Sequence, residues 1–168
     1  MLKNKWILIL LAAILVKGIV WILLTPVFQI PDEPSHFSYV QFLAENKRAP
    51  LPRREVVTSR ELFQISEIVN FNWRIIHPVW REYRDKWLDA IKVIDPAGRK
   101  EFLANSDLTS LKRPGLYYYS ASLVYCIFNQ QNFLWRFYSV RFYSLTLHLI
   151  TVWLVYLTAK RLMKNQWL

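Results

Sequence analysis

The chain has 168 residues, of which 54% are hydrophobic, and its formal net charge is +10. All 12 acidic residues lie between Asp32 and Asp107, in company with many Lys and Arg, whereas much of the positive excess lies in or beside apolar blocks. This distribution argues against a nucleic acid partner and for a membrane. The single cysteine, Cys126, excludes an internal disulfide.

The first apolar block predicts a transmembrane helix over residues 6–28, after a short cytoplasmic segment, 1–5. Only Lys17 and Thr25 interrupt its apolar character, and its length suffices for a hydrocarbon core of about 30 Å. A signal peptide is the alternative. The block is long for one, however, and no Ala-x-Ala-like cleavage site follows, so we expect an uncleaved anchor.

Residues 29–115 form the predicted outer segment, and its first helix is expected over about 33–46. Asp32 suits an N-cap, Glu33 suits the positive end of a helix dipole, and Pro34 is tolerated in a first turn. Pro50 marks the exit into a loop. The spacing predicts one buried face, made of His36, Tyr39, Val40 and Leu43, with Ser38, Gln41 and Glu45 elsewhere.

Further helices are predicted along the outer segment. Thr58-Ser59-Arg60-Glu61 is typical of a capping box that opens a helix, and Asp95-Pro96 opens a short helix through Leu103. A polar loop is expected over 105–114. The first of these helices should bury one side made of Leu62, Ile65 and Val69.

A helix that starts at His77-Pro78 is expected to carry an aromatic stripe of Trp80, Tyr83 and Trp87. Two interpretations of this stripe stay open. It packs on the rest of the outer segment, or it lies on lipid headgroups, the depth that Trp and Tyr favour.

The second predicted span covers residues 142–159, after a connector, 129–141, and before a cytoplasmic tail, 160–168. Lys3 and Lys5 precede the first span, and Lys160, Arg161 and Lys164 follow the second, so the positive-inside rule places both ends in the cytoplasm. The apolar segment 116–128 is too short to cross. We therefore expect an interfacial or re-entrant helix there, in an all-α membrane protein with two transmembrane helices and a helical outer segment.

Asp32, Glu33 and His36 are the most suggestive group in the chain. Two carboxylates and an imidazole one turn later are suited to hold a divalent metal ion or to deprotonate an acceptor hydroxyl. An acidic helix start is also what any helix N-terminus prefers. The residues alone leave the catalytic and the capping interpretations open.

A family resemblance enters at the same residues. Pro31-Asp32-Glu33-Pro34-Ser35-His36-Phe37, continuing through Leu43-Ala44-Glu45 to Pro50, resembles the first outer loop of GT-C-type glycosyltransferases, which take sugars from polyprenyl-phosphate carriers. It is most similar to an uncharacterised family of bacterial multi-pass membrane proteins that open with Pro-Asp-Glu-Pro-x-His. Arg113-Pro114-Gly115 with the tyrosines 117–119, and Arg141-Phe142-Tyr143-Ser144, are similar to two later motifs of that family in order and spacing.

The chain departs from that family in two respects. Gly115 stands where the family usually has a second proline, which loosens that turn. Members of the class also have many more spans than two. The expectation is therefore an N-terminal piece of a larger enzyme or a truncated reading frame, inactive by itself.

The resemblance implies roles for individual residues. Asp32 matches the acidic residue that serves as base or metal ligand, and Glu33 is the second candidate. His36 shares the apolar helix face with Tyr39 and Val40, so we expect it to orient or pack against its neighbours rather than to bind a metal. Arg136, Arg141 and Arg113 are candidates to bind the departing phosphate, with snorkelling anchors as the alternative for the first two.

Two polar residues lie inside the predicted spans. Lys17 is near the middle of the first and should face protein or a water-filled cavity, because a charge there is costly. His148 lies at mid-depth in the second and is suited to join Lys17 or to bond another helix.

The leading functional hypothesis is the amino-terminal part of an inverting glycosyltransferase in the bacterial inner membrane. The lipid bilayer, a polyprenyl-phosphate-linked sugar and a glycan, lipid or protein acceptor are its expected partners, and a divalent metal ion is its only candidate cofactor. The alternatives are a non-catalytic two-span protein whose outer segment binds a partner or ligand, and a transporter subunit, suggested by Lys17 and His148.

Overall fold

The regular structure of the described residues is helical. The structure, a computed structural model, describes residues 5–30, 32–51, 57–70, 84–103 and 115–164. Its helices are α1 (Lys5–Leu24), α2 (Glu33–Asn46), α3 (Arg60–Ile68), α4 (Arg84–Lys92), a 3₁₀ helix (Pro96–Lys100), α5 (Leu116–Ile127) and α6 (Phe133–Lys164). The chain forms two units, residues 1–25 with 141–168 (unit 1) and residues 26–140 (unit 2).

Unit 1 is an antiparallel pair made of α1 and the part of α6 that follows Val140. Gly18 lies so close to Leu145 that an added methyl group would overlap its side chain. Arg141 Nη1 donates hydrogen bonds to the carbonyl oxygens of Ile22, at 3.2 Å, and Thr25, at 2.7 Å. Arg141 thus satisfies carbonyl groups that the end of α1 leaves without intrahelical donors.

Both helices of unit 1 are long and apolar enough to cross a membrane. Their bounds differ from the predicted spans. Helix α1 ends at Leu24 rather than at residue 28, because Pro26 lacks the N–H that another turn requires. Helix α6 begins at Phe133 rather than at residue 142, so most of the expected connector is helical. Asn132 Oδ1 accepts a hydrogen bond from the backbone N–H of Trp135 at this earlier start.

Unit 2 is built around α2, which begins and ends where the sequence predicts. Its residues 37–44 are all buried, so the prediction of a single buried face was wrong. Ser38 and Gln41 are buried and His36 is exposed. The cause is that α5, α3 and the 3₁₀ helix all pack on α2, which leaves no solvent face along its middle.

Helix α3 has the predicted buried side, but its N-cap differs from the predicted one. Leu62, Ile65 and Val69 are at most 1% exposed, as expected. The cap is Ser59, whose Oγ accepts a hydrogen bond from the backbone N–H of Leu62 at 3.2 Å. Glu61 turns inward and leaves no capping box, because it pairs with an arginine of α6.

The remaining predicted elements are shorter than expected or lie outside the described residues. The helix expected to run from Asp95-Pro96 through Leu103 is only a 3₁₀ helix, Pro96–Lys100. Phe102 instead forms an isolated antiparallel bridge with Ser59. The predicted helix start at His77-Pro78, with Trp80 and Tyr83, and the predicted loop over 105–114 lie outside the described residues. Helix α4 carries Trp87.

Helix α5 has two contrasting faces. Ala121 and Tyr125 are fully buried, on the face that packs on α2. The opposite face exposes 85% of Leu116, 69% of Leu123 and 76% of Ile127. The predicted helix over 116–128 is therefore present, and it carries an exposed apolar stripe.

Candidate functional site

The candidate site lies at the N-terminus of α2, where Asp32 occupies the N-cap position without acting as a cap. Its backbone is in the right-handed helical region, φ −86° and ψ −8°, and its carboxylate makes no capping hydrogen bond. Caps usually have extended backbone and bond the N–H of the second or third helical residue. Pro34, the second residue of α2, has no N–H to offer. Asp32 is exposed and its carboxylate has no partner among the described residues.

His36 lies one turn beyond Asp32 and joins α2 to α5. Its backbone N–H donates to the carbonyl oxygen of Asp32 at 3.0 Å. Its Nδ1 is hydrogen-bonded to the hydroxyl of Tyr118 at 2.6 Å, and the two rings stack with centroids 5.9 Å apart. The imidazole is therefore held in one orientation by Tyr118, and its orienting role stays a prediction.

Tyr118 is a site residue that the sequence analysis did not single out. Its ring also contacts Tyr39, with centroids 5.1 Å apart. Burial raises the pKa of Tyr118, and the neighbouring Tyr117 raises that pKa further. The phenol of Tyr118 is therefore neutral at neutral pH. A neutral phenol donates to the imidazole whenever Nδ1 is unprotonated. The run of tyrosines at 117–119, in the second stretch that resembles the family, was the sequence signal that could have pointed to Tyr118.

The proposed metal ligands are not gathered into a metal site. Among the described residues, no group of three or more His, Cys, Asp and Glu side chains is placed to hold a metal ion. Asp32 is the N-cap residue of α2 and Glu33 and His36 lie in its first turn, and the imidazole Nδ1 is bonded to Tyr118.

The three candidate phosphate-binding arginines have different surroundings. Arg136 is 0% exposed, so a phosphate would have to displace its buried partners. Arg141 bonds the end of α1 as described above, and it is part-buried. Arg113 lies outside the described residues.

Arg136 is instead the centre of a buried polar network in unit 2. Its Nη1 and Nη2 donate to the two carboxylate oxygens of Glu61, Nη1 also donates to the hydroxyl of Tyr125, and Nε donates to the carbonyl oxygen of Gln131. Gln41 Nε2 donates to Glu61 at 2.8 Å and to Tyr125 at 3.1 Å. Residues from α2, α3, α5 and α6 are thus tied together below the surface.

Lys17 and His148 are exposed side chains of unit 1. Neither has a hydrogen-bonding or charged partner within the part of the chain that the structure describes. The predicted contact between them is therefore not made in the chain alone.

Searches of protein families, of curated proteins and of solved structures find no match to this chain.

Proposed function

We propose that the chain crosses the bacterial cytoplasmic membrane twice, with both ends in the cytoplasm and residues 26–140 on the outer face. In this proposal it is the amino-terminal part of an inverting glycosyltransferase that moves a sugar from polyprenyl phosphate to an acceptor hydroxyl. The resemblance of the α2 segment to GT-C enzymes supplies the reaction class, and the geometry around Asp32 supports it.

The surfaces of the helices support the membrane assignment. Trp6, Val16 and Trp21 of α1 each expose more than 60% of their surface, and large exposed apolar patches on a protein mark lipid or protein contacts. The stripe of Leu116, Leu123 and Ile127 continues this pattern on α5, as expected for a helix that lies in the outer interface.

One observation carries the catalytic assignment: the carboxylate of Asp32 makes no capping hydrogen bond and is exposed. A capping aspartate would bond the first-turn N–H groups, so capping does not account for this carboxylate. The carboxylate is therefore available as a base, with Glu33 next to it and the His36–Tyr118 pair one turn away.

The proposed reaction follows from this arrangement. Asp32 takes the proton of the acceptor hydroxyl as the acceptor oxygen bonds to the anomeric carbon. The bond from that carbon to the phosphate oxygen breaks, and polyprenyl phosphate leaves with the electron pair. A single displacement of this kind inverts the anomeric centre, and a carboxylate base is suited to its oxocarbenium-like transition state.

The test measures transfer by the product of the complete reading frame in proteoliposomes. Polyprenyl-phosphate sugars labelled in the sugar are supplied at the outer face, and labelled product is counted. Asp32→Asn should lower transfer by roughly 10²-fold or more, the range for a lost acid–base group, and Glu33→Gln should lower it less. Asp89→Asn, at an exposed carboxylate of α4, is the matched control and should be neutral. Full transfer by Asp32→Asn would remove the catalytic assignment.

A non-catalytic two-span protein is the second candidate. It is favoured by the burial of Arg136, one of the expected phosphate ligands, inside unit 2. In that case the outer segment binds a partner or ligand, and the parent protein itself transfers no labelled sugar in the proteoliposomes.

A further inference from the structure

Lys17 and His148 lie at the same depth in the antiparallel pair of unit 1. Gly18 lies against Leu145, and Arg141 bonds the carbonyl oxygens of Ile22 and Thr25. Because the two helices run in opposite directions, these contacts place Lys17 level with residues 146–149. His148 is one of them.

The two residues also lie on the same side of the pair. An apolar groove opens on the other side, and its lining is Leu11, Ala12, Leu15, Leu149, Ile150 and Trp153. Each helical residue turns the chain by about 100°. In α1, Lys17 and Leu15 therefore lie on opposite sides of Gly18. In α6, His148 and Trp153 lie on opposite sides of Leu145. The groove is therefore lined by apolar residues alone, whereas the opposite side of the pair, the Lys17 face, carries Lys17 and His148.

Further polar residues of α6 extend the Lys17 face. Ser144 and Thr151 lie one turn before and one turn after His148. The hydroxyl of Thr151 donates to the carbonyl oxygen of Leu147 at 2.8 Å, so its oxygen keeps acceptor capacity for another group. A lipid acyl chain offers no hydrogen bond to the polar side chains of this face, whereas the groove on the opposite side needs none.

The charge of Lys17 needs a partner from outside unit 1. Every acidic residue of the chain lies between Asp32 and Asp107, so unit 1 contains none. Lys17 lies about 10 Å from the end of α1 at Leu24, at 1.5 Å per residue, whereas snorkelling serves residues near helix ends. A second copy of the chain would present Lys17 to Lys17. The complementary group is a carboxylate at the middle of the membrane.

We propose that the Lys17 face binds another transmembrane helix that carries Asp or Glu at mid-membrane depth. The carboxylate pairs with Lys17, and the imidazole of His148 donates a hydrogen bond beside it. The proposal rests on the proposed membrane crossing of α1 and α6 and is independent of the proposed sugar transfer.

The test uses the full chain in phosphatidylcholine vesicles with synthetic single-span helices as probes. The probes are leucine-rich peptides with Glu, Gln or Leu at the midpoint, so their orientation in the bilayer does not matter. Cys126, the only cysteine of the chain, carries an acceptor dye, the peptide carries a donor, and energy transfer gives the affinity. The Glu peptide should bind about tenfold or more tightly than the Leu peptide.

Variants within one turn of α1 show whether the preference for the Glu peptide depends on a positive charge and on its placement at residue 17. Lys17→Leu should abolish the preference for the Glu peptide, and Lys17→Arg should keep it. Val16→Lys in the Lys17→Leu background moves the charge to a neighbouring exposed position and should not restore the preference.

Equal binding of the Glu and Leu peptides to the parent chain would overturn the proposal, and so would an unchanged preference for the Glu peptide in Lys17→Leu. A third contrary outcome is self-association: energy transfer between two labelled copies of the chain that depends on Lys17 and displaces the peptide. Access of impermeant reagents to cysteines added at each helix end, in the same vesicles, shows whether the pair crosses. If it does not cross, the proposed topology fails as well; if it crosses without discrimination, only the docking fails.

Discussion

Arg136 and Glu61 form an ion pair through both carboxylate oxygens, at 0% and 1% side-chain exposure and 75 residues apart in the chain. The pair joins the start of α6 to the start of α3 across the interior of unit 2. Removal of one member would leave the other as an unpaired buried charge, which is far more costly than the loss of the pair as a whole.

The first prediction concerns this pair. Glu61→Leu and Arg136→Met should each destabilise unit 2 by about 3–5 kcal/mol, and the double variant should lose less than the two single losses together. Near-UV circular dichroism of the full chain during denaturant unfolding measures this. Additive losses would mean that the two side chains stabilise unit 2 independently.

The second prediction concerns pH. Burial raises the pKa of Tyr125 above its ordinary value, although Arg136 opposes the shift. The folded chain therefore holds the phenolic proton more tightly than the unfolded chain. This contribution to stability is complete below about pH 10, the ordinary tyrosine pKa, and is lost as pH rises from there through the raised pKa.

Tyr39 and Tyr118 also have raised pKa values and would add to the pH dependence. Comparison of the parent with Tyr125→Phe isolates the contribution of Tyr125, because both chains keep the other two tyrosines. The parent should be more stable than Tyr125→Phe below pH 10, and the difference should shrink as pH rises above it. Unfolding monitored by circular dichroism at a series of pH values measures this difference. A constant difference up to pH 11 would show that Tyr125 ionises equally easily in both states.

The third prediction compares two residues at helix starts. Asp32 makes no capping bond, whereas Ser59 accepts one from the backbone N–H of Leu62. Asp32→Ala should therefore change the free energy of unfolding by less than about 0.5 kcal/mol, while Ser59→Ala should cost about 1 kcal/mol or more. Thermal unfolding of the two variants decides this. A loss in Asp32→Ala equal to that in Ser59→Ala would return Asp32 to a capping role.

The fourth prediction concerns α5. In a chain with Cys126→Ser, a spin label on a cysteine at position 123 should be shielded from water-soluble relaxation agents and exposed to oxygen, if the apolar stripe lies in the membrane interface as we propose. The same label at Asp89, which is exposed on α4, is the comparison and should show the opposite. Equal access of the aqueous agent at both positions would place α5 in water.

Local signals predicted the elements that depend on neighbouring residues. The bounds of α2 followed from the Asp-Glu-Pro start and the prolines after it, and the buried side of α3 followed from helical spacing. The burial of Ser38 and Gln41 could not be predicted, because it results from packing on several sides of α2 by segments distant in the chain.

The candidate site shows the same division. The sequence predicted that Asp32, Glu33 and His36 share the start of one helix. It did not predict the contact of His36 with Tyr118, 82 residues away, or the partner of Arg136, which determines whether that arginine can meet a phosphate. Such choices depend on which helices meet, and periodicity within one helix carries no information about its neighbours.

The central claim is that α1 and α6 cross the membrane and that unit 2 lies outside, and topology reporters fused along the chain test it most directly. Fusions after residues 50 and 110 should both report the outer side, and a fusion after residue 164 should report the cytoplasm. A cytoplasmic signal at residue 50, or an outer signal at residue 164, would contradict the two-span account.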